Sequence, residues 1–297
     1  MRKTTAAILA TVALSFSAAP ALANCDPGEM VIKFSHVTNT DKHPKGIAAS
    51  MVADRVNAEM NGKACMQVFG NSSLYDDDKD VDAVDRYQNS KDGQALLDSM
   101  KRRGLQGIAF WHNGMKQLSA SKPLLVPADA KGLKFRIQPS DVLQAQFEAL
   151  GANPQKMAFS EVYGALQTKV VDGQENTWSN IYGQKFFEVQ DGTTETNHGI
   201  IDYLVVASNE WWDGLPGDLR DQLATIIREV TEERNAESTK VNEEAKAAII
   251  AAGGVIRTLD DEQRALWVKA MKPVWAKFED GIGADVIAAA VSYNSPN

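Results

Sequence analysis

The chain is poor in the residues that build reactive centres. It has two cysteines, Cys25 and Cys65, and four histidines, His36, His43, His112 and His198, in 297 residues. No two histidines stand at a metal-pair spacing such as H-x-x-x-H, and none sits at ligand spacing from a cysteine. No metal centre is expected from that pattern. There is no G-x-S-x-G elbow, no G-x-x-x-x-G-K-[ST] loop and no G-x-G-x-x-G fingerprint. The familiar hydrolase, NTPase and dinucleotide routes are therefore missing, and no cofactor is expected. Acid–base pairs assembled from distant residues remain open. Positive charge is also short: the formal net charge is −8. That argues against general binding of nucleic acid or anionic membrane, though not against a local cationic pocket for a small anion. After the first 23 residues no uninterrupted apolar run approaches the ~20 residues of a membrane-spanning helix.

The first 23 residues read as a secretory leader. Arg2 and Lys3 precede an uncharged, mostly apolar stretch that closes on Ala21-Leu22-Ala23, the order expected of a cleaved signal peptide. An N-terminal membrane helix is the alternative, but Pro20 interrupts the run and no basic stop-transfer cluster follows it. Cleavage after Ala23 leaves 274 residues with a net charge of −10. That length favours two domains. Both cysteines survive cleavage, and an even count in an oxidising compartment favours one Cys25–Cys65 disulfide. Two buried free thiols are the alternative.

Strand and helix signals alternate, as in α/β layers. Residues 31–37 and 65–69 read as strands around a helix from about Pro44 to Met60, ended by Asn61-Gly62. Helical signal runs from about Val81 to Arg103 with an interruption near Gly93. Leu105–His112 reads as a strand, and Gln117–Ser121 as another reached through an Asn113-Gly114 turn. Further strands are expected at Leu133–Gln138, Ile200–Ala207 and Val255–Leu259, and helices at Asp141–Leu150 and Glu161–Thr168. Asp218–Ala252 contains no Gly or Pro. A continuous helix of that length spans about 50 Å, more than one small domain. Asp260 and Gln263 are spaced for a capping box on a final helical region. Asp76-Asp77-Asp78 fits a solvated loop better than a cation site, having no EF-hand spacing.

One stretch is specific. Residues 157–178 read Met-Ala-Phe-Ser-Glu-Val-Tyr-Gly-Ala-Leu-Gln-Thr-Lys-Val-Val-Asp-Gly-Gln-Glu-Asn-Thr-Trp. It closely resembles the signature of TRAP-transporter solute-binding proteins. Upstream, Gly132-Leu133-Lys134-Phe135-Arg136 resembles that family's strand with a carboxylate-binding arginine. Asn113-Gly114-Met115-Lys116-Gln117 and Asn209-Glu210-Trp211-Trp212 resemble its C4-dicarboxylate branch. The resemblance implies an α/β, bilobed periplasmic binding protein with two α/β lobes and a long lobe-bridging helix. Lobe I would comprise residues 24–113, completed by about 203–241. Lobe II would comprise 114–202, completed by about 242–297. It further implies capture of a small organic acid such as malate, succinate or fumarate, delivery to membrane permease subunits, and a monomer with no chemistry of its own. A keto-acid or sugar-acid ligand, a truncated relative with impaired binding, and a secreted enzyme acting on a small anion are the alternatives.

The residues carry part of this by themselves. Strand alternation puts Leu133, Phe135 and Ile137 on one face and Lys134 and Arg136 on the other. A guanidinium there offers a planar fork matched to both oxygens of a carboxylate; from the strand alone an arginine on a solvated sheet face is the alternative. Asn176, read as the start of a helical stretch, is the family's asparagine contact or else an N-cap. Phe159 is placed to pack on the ligand's carbon chain or in the core. Lys116 is one candidate for the second anionic end, with Lys45 and Thr38-Asn39-Thr40 as others. Glu175 is assigned a supporting role, because a bare carboxylate would repel the ligand. The chain also departs from the pattern. Relatives carry a few dozen more residues where Asp76–Asp80 joins the flanks directly, so the first lobe is expected to be short and weak.

Overall fold

The computed structural model describes residues 25–36, 38, 40, 43–69, 88 and 90–292. The leader and the Asp76–Asp80 junction lie outside the described residues. Two parallel strands, β1 (Met30–Ser35) and β2 (Ala64–Phe69), flank helix α1 (Pro44–Glu59). Pro44 starts that helix, where its missing N–H costs nothing, and His43 caps it by accepting from the Lys45 N–H. Asn61 and Gly62 follow with positive φ, a left-handed exit suited to these two residues. The Cys25–Cys65 disulfide is formed, with Cα atoms 5.5 Å apart, and ties the start of the described chain to β2.

Helix α2 (Lys91–Ser99) begins at Ser90, whose hydroxyl accepts from Asp92 N and Gly93 N. Gly93 lies buried inside its first turn, and the expected interruption falls at Ser90, three residues before it, between helical Gln88 and this helix. Strand β3 is the main revision. It runs unbroken from Leu105 to Ala120. Asn113-Gly114 is a bulge within it, not a turn between two strands. The first part of β3 pairs with β8 (Ile200–Ser208). The last part pairs with β6 (Gly173–Thr177) and β7 (Gly192–Glu195). One strand therefore belongs to both lobes and changes partners near Met115.

The larger sheet has the order β5-β4-β6-β3-β7-β9, with β4 at Lys134–Ile137, β5 at Asn153–Lys156 and β9 at Ile256–Thr258. Short helices α3 (Asp141–Ala149), α4 (Val162–Gln167) and α5 (Trp178–Gly183) connect its strands, and α6 (Asn209–Asp213) follows β8. Strands β5, β6 and β7 are too short and polar to register as strands by alternation; their pairing comes from tertiary context.

Helix α7 (Gly217–Ala251) is continuous over 35 residues. Its first half buries Leu219, Leu223 and Ile226 against Val52, Met66 and Trp111. Near its end Ala245 and Ile249 join a different core with Phe159, Ile181 and Phe186. Between these apolar stretches the buried face turns polar. Asn235 bonds Phe110 O and His112 N of β3, and Asn242 bonds Asn113 O and Ser179 N. Side-chain amides of α7 thus serve backbone groups of β3 next to its bulge, where a neighbouring strand would otherwise be needed. Gly114 is required there: its φ is +150°, and a Cβ would lie 2.7 Å from Asn242 Nδ2. Helix α8 (Asp261–Ile282) starts at the expected Asp260/Gln263 capping box, and α9 (Ala284–Ser292) follows.

Candidate ligand-binding site

Arg136 lies on β4 between β5 and β6 and is 1% exposed. The alternation is as expected: Phe135 and Ile137 enter a core with Leu118 and Leu143, while Arg136 faces the other way. Its Nε donates to Met157 O at 2.9 Å. The guanidinium carbon lies 5.7 Å from the centre of the Phe159 ring, within cation–π range. Phe159 in turn meets Phe186 edge-on. Phe159 is thus both a core residue and a shelf for the cation.

Asn176 is on strand β6, not at the start of a helix. The N-cap of α5 is Thr177, whose hydroxyl accepts from Asn180 N. Register pairs Gln174 with Arg136, and the two-residue period of a strand puts Gln174 and Asn176 on that same face. Asn176 Nδ2 donates to Gln174 Oε1 at 2.8 Å, and Asn176 Oδ1 accepts from Asn180 Nδ2 at 2.7 Å. Arg136, Phe159 and Asn176 therefore converge on one face of the sheet.

Lys116 does not join them. Its register partner is Thr177, and its ammonium is 2.6 Å from Glu175 Oε2. His198 Nε2 contacts the same carboxylate at 3.0 Å. Burial alone would push the Glu175 carboxyl up, but Lys116 and His198 outweigh it and hold it down at about 2. Glu175 is thus a buried carboxylate with Lys116 as its counter-ion. Of the other candidates, Lys45 lies over the Tyr203 ring at 3.7 Å, Thr38 is buried beside His36, and Asn39 lies outside the described residues. Trp178 is core, and Tyr182 is largely exposed.

Sequence reasoning missed a group that joins the lobes. His43, at the start of α1, contacts Asn180 Oδ1 at 2.5 Å. Asn113 bonds Asn180, Tyr203, Thr177 and Ser179. His43 is held neutral: burial first, then nearby Lys45, lowers its pKa to about 3. The readable signals were the four-residue spacing of Asn176 and Asn180 and the His-Pro pair at the head of a helix.

A sequence profile for bacterial extracellular solute-binding proteins of family 7, DctP, matches residues 34–86 and 79–281. The chain belongs to this family. The DctP match is split, and its two pieces meet at 79–86, beside the acidic junction. A C4-dicarboxylate-binding periplasmic protein of Vibrio cholerae is 64% identical, covering 97% of this chain and 98% of that one. Their alignment runs over 324 positions although this chain has only 297 residues, so the relative has residues with no counterpart here. Among solved structures, a TRAP periplasmic solute-binding protein of Shewanella oneidensis with bound succinate is 42% identical. It superposes with a TM-score of 0.87 and covers 90% of this chain and 100% of that one. Another from Pseudomonas aeruginosa, with bound L-malate, is 37% identical, with a TM-score of 0.79 and coverages of 84% and 99%. The bilobed α/β architecture of these DctP-type proteins is the one described above. Among the described residues no helix is long and apolar enough to cross a membrane.

Proposed function

We propose that this protein captures a C4-dicarboxylate, such as malate, succinate or fumarate, outside the cytoplasmic membrane and delivers it to the permease subunits of a TRAP transporter. The observation that carries this reading is Arg136: a guanidinium 1% exposed, anchored through Nε and backed by an aromatic ring. Anchoring through Nε sets the plane of the guanidinium, a planar fork whose geometry matches the two oxygens of a carboxylate. Asn176 adds an N–H donor on the same face, and Phe159 backs the ligand's carbon chain. Lys116 is neutralised by Glu175 and is not part of this grip. The names and bound ligands of the more similar relatives support a dicarboxylate over a keto acid or sugar acid.

In this reading the leader is cleaved after Ala23, the mature protein works as a periplasmic monomer, and no covalent chemistry is performed. The lobes comprise residues 24–113 with about 203–241, and 114–202 with about 242–297. The split family match supports a shortened first lobe.

Calorimetry of the wild type with succinate, malate and fumarate, beside a keto acid and a sugar acid, tests the ligand class. Arg136→Ala should lose roughly 2–5 kcal/mol of binding, about 30-fold to several-thousand-fold in affinity. Arg136→Lys should also bind poorly, because an ammonium lacks the fork. Unchanged affinity in the Ala variant, or tight binding of a sugar acid with none of a dicarboxylate, would sink the reading.

A further inference from the structure

The hydrogen bonds that pass through Asn176 all run in one direction. The chain starts at the backbone N–H of Lys45, which can only donate, and which donates to His43 Nδ1 at 3.1 Å. Neutral His43 must then carry its proton on Nε2, so it donates to Asn180 Oδ1. Asn113 Nδ2 donates to the same oxygen. With its carbonyl occupied, Asn180 gives Nδ2–H to Asn176 Oδ1. Asn176 gives an N–H to Gln174 Oε1, and Gln174 gives one to Ser119 Oγ. Ser119 donates to Gln190 Oε1 at 3.0 Å, and Gln190 Nε2 ends on the backbone carbonyl of Val189 at 3.1 Å. A carbonyl can only accept.

A fixed donor at one end and a fixed acceptor at the other leave no freedom between them. Turning any one amide over would set two carbonyls, or two N–H groups, face to face. The Asn176 carbonyl is therefore consumed by Asn180, and one N–H by Gln174. Its second N–H makes no hydrogen bond among the described residues, and the side chain lies on the face of Arg136. We propose that Asn180, set by His43, is a positioning residue that compels Asn176 to offer an N–H, and never its carbonyl, to the bound anion. This rests on the reading of Asn176 as a ligand contact. The consequence is selectivity: a site that presents only donors accepts an ionised carboxylate and disfavours an amide, whose NH₂ would meet another donor. Because His43 caps α1 and meets Tyr203, which packs against the first-lobe core, the first lobe sets the polarity of the second lobe's recognition face.

Asn180→Asp is the informative change. An aspartate is nearly the same shape and still accepts from His43 and Asn113, but it cannot donate. The Asn176 carbonyl then faces a carboxylate, and turning the amide over to relieve that puts its carbonyl toward Gln174 and the ligand side, so either way the donor is lost or destabilised. Succinate and its mono-amide, succinamate, are titrated into wild type, Asn176→Ala, Asn180→Asp and the double variant, with circular dichroism confirming each fold. The wild type should prefer succinate. Asn180→Asp should weaken succinate by roughly 10-fold or more, the size of a hydrogen bond to a charged group, and narrow its preference over succinamate. In the Asn176→Ala background the same change should cost less than about threefold, because the two residues act as one unit. Losses that multiply would overturn the proposal, since a new charge acting on its own would persist without Asn176. A second measurement needs no ligand: ¹⁵N spectra of the histidine rings at neutral pH should show His43 protonated on Nε2, and an Nδ1–H form would overturn the proposal. A wild type that ignores succinate would instead overturn the proposed function, and this inference with it.

Discussion

Replacing Asn242 by Leu should destabilise the protein far more than its single side chain suggests. The two side chains share the same four-atom branched shape, although the methyl groups of Leu are bulkier and add some overpacking. The loss is polar. Asn242 Nδ2 donates to Asn113 O, and its Oδ1 accepts from Ser179 N at 3.1 Å. Asn242 is buried, so Leu leaves a carbonyl and an N–H beside the bulge without their partner. Each unsatisfied buried group costs about 1–3 kcal/mol, which predicts a loss of roughly 2–6 kcal/mol. Urea unfolding followed by tryptophan fluorescence and circular dichroism measures it, with ligand absent. Glu244→Leu, two positions on and exposed, controls for helix propensity and should move stability by no more than about 0.5 kcal/mol. A loss below about 1 kcal/mol for Asn242→Leu would refute the reasoning, because it would mean that the two backbone groups do not depend on this amide.

Three further outcomes are expected. Lys116→Met should destabilise the fold by roughly 3–5 kcal/mol, the cost of stranding the buried Glu175 charge, whereas Lys116→Met with Glu175→Gln should recover most of it; equal losses in both variants, by urea titration, would contradict the pairing. Cys25→Ser with Cys65→Ser should cost about 4 kcal/mol in the chain-entropy picture, given a sequence separation of 40, and an unchanged urea midpoint would contradict a native bridge. Acid should weaken the fold well before its carboxylates titrate: burial and Lys45 lower His36 to about 4 and His43 to about 3, from 6.5. Both folded values lie below the unfolded one, so their contribution is complete above pH 6.5 and is lost as pH falls toward 4 and 3, at about 1.4 kcal/mol per unit for each; stability that is flat between pH 7 and pH 5 would contradict this.

The long elements were legible because each carries many repeats of its own signal. The 35-residue helix had no breaker to stop it, α1 was bracketed by Pro44 and Asn61-Gly62, and the Asp260/Gln263 box marked α8. The short polar strands were not legible, since Gly-Gln-Glu-Asn-Thr shows no alternation of apolar and polar residues; only its neighbours β3 and β4 make it a strand. That is also why Asn176 read as a helix start one residue before the true cap at Thr177. Asn113-Gly114 gave a turn signal that a continuous strand absorbed as a bulge, because β8 on one edge and α7 on the other hold the chain straight through it. Arg136 was singled out by the resemblance of its strand to a family motif, with alternation showing only which face it takes, while Lys116 looked like a free cation because its partner Glu175 is 59 positions away in the chain. The His43–Asn180 contact crosses 137 positions, and no local pattern encodes a pairing at that distance.

The sharing of β3 and α7 between the two lobes limits how such proteins can recombine. The first-lobe core draws on residues near 32–111 and 205–230, and the second on residues near 118–186 and 245–271. Along the gene the two sets alternate, so moving one lobe intact into a relative takes three crossovers. Only the one between β7 and β8 falls in a connecting loop. The others cut through the bulge of β3 and the polar middle of α7, where Asn235 and Asn242 must match a strand encoded more than 100 codons away. New ligand preferences in this architecture are therefore reached more readily by point changes on the recognition face than by exchange of lobes.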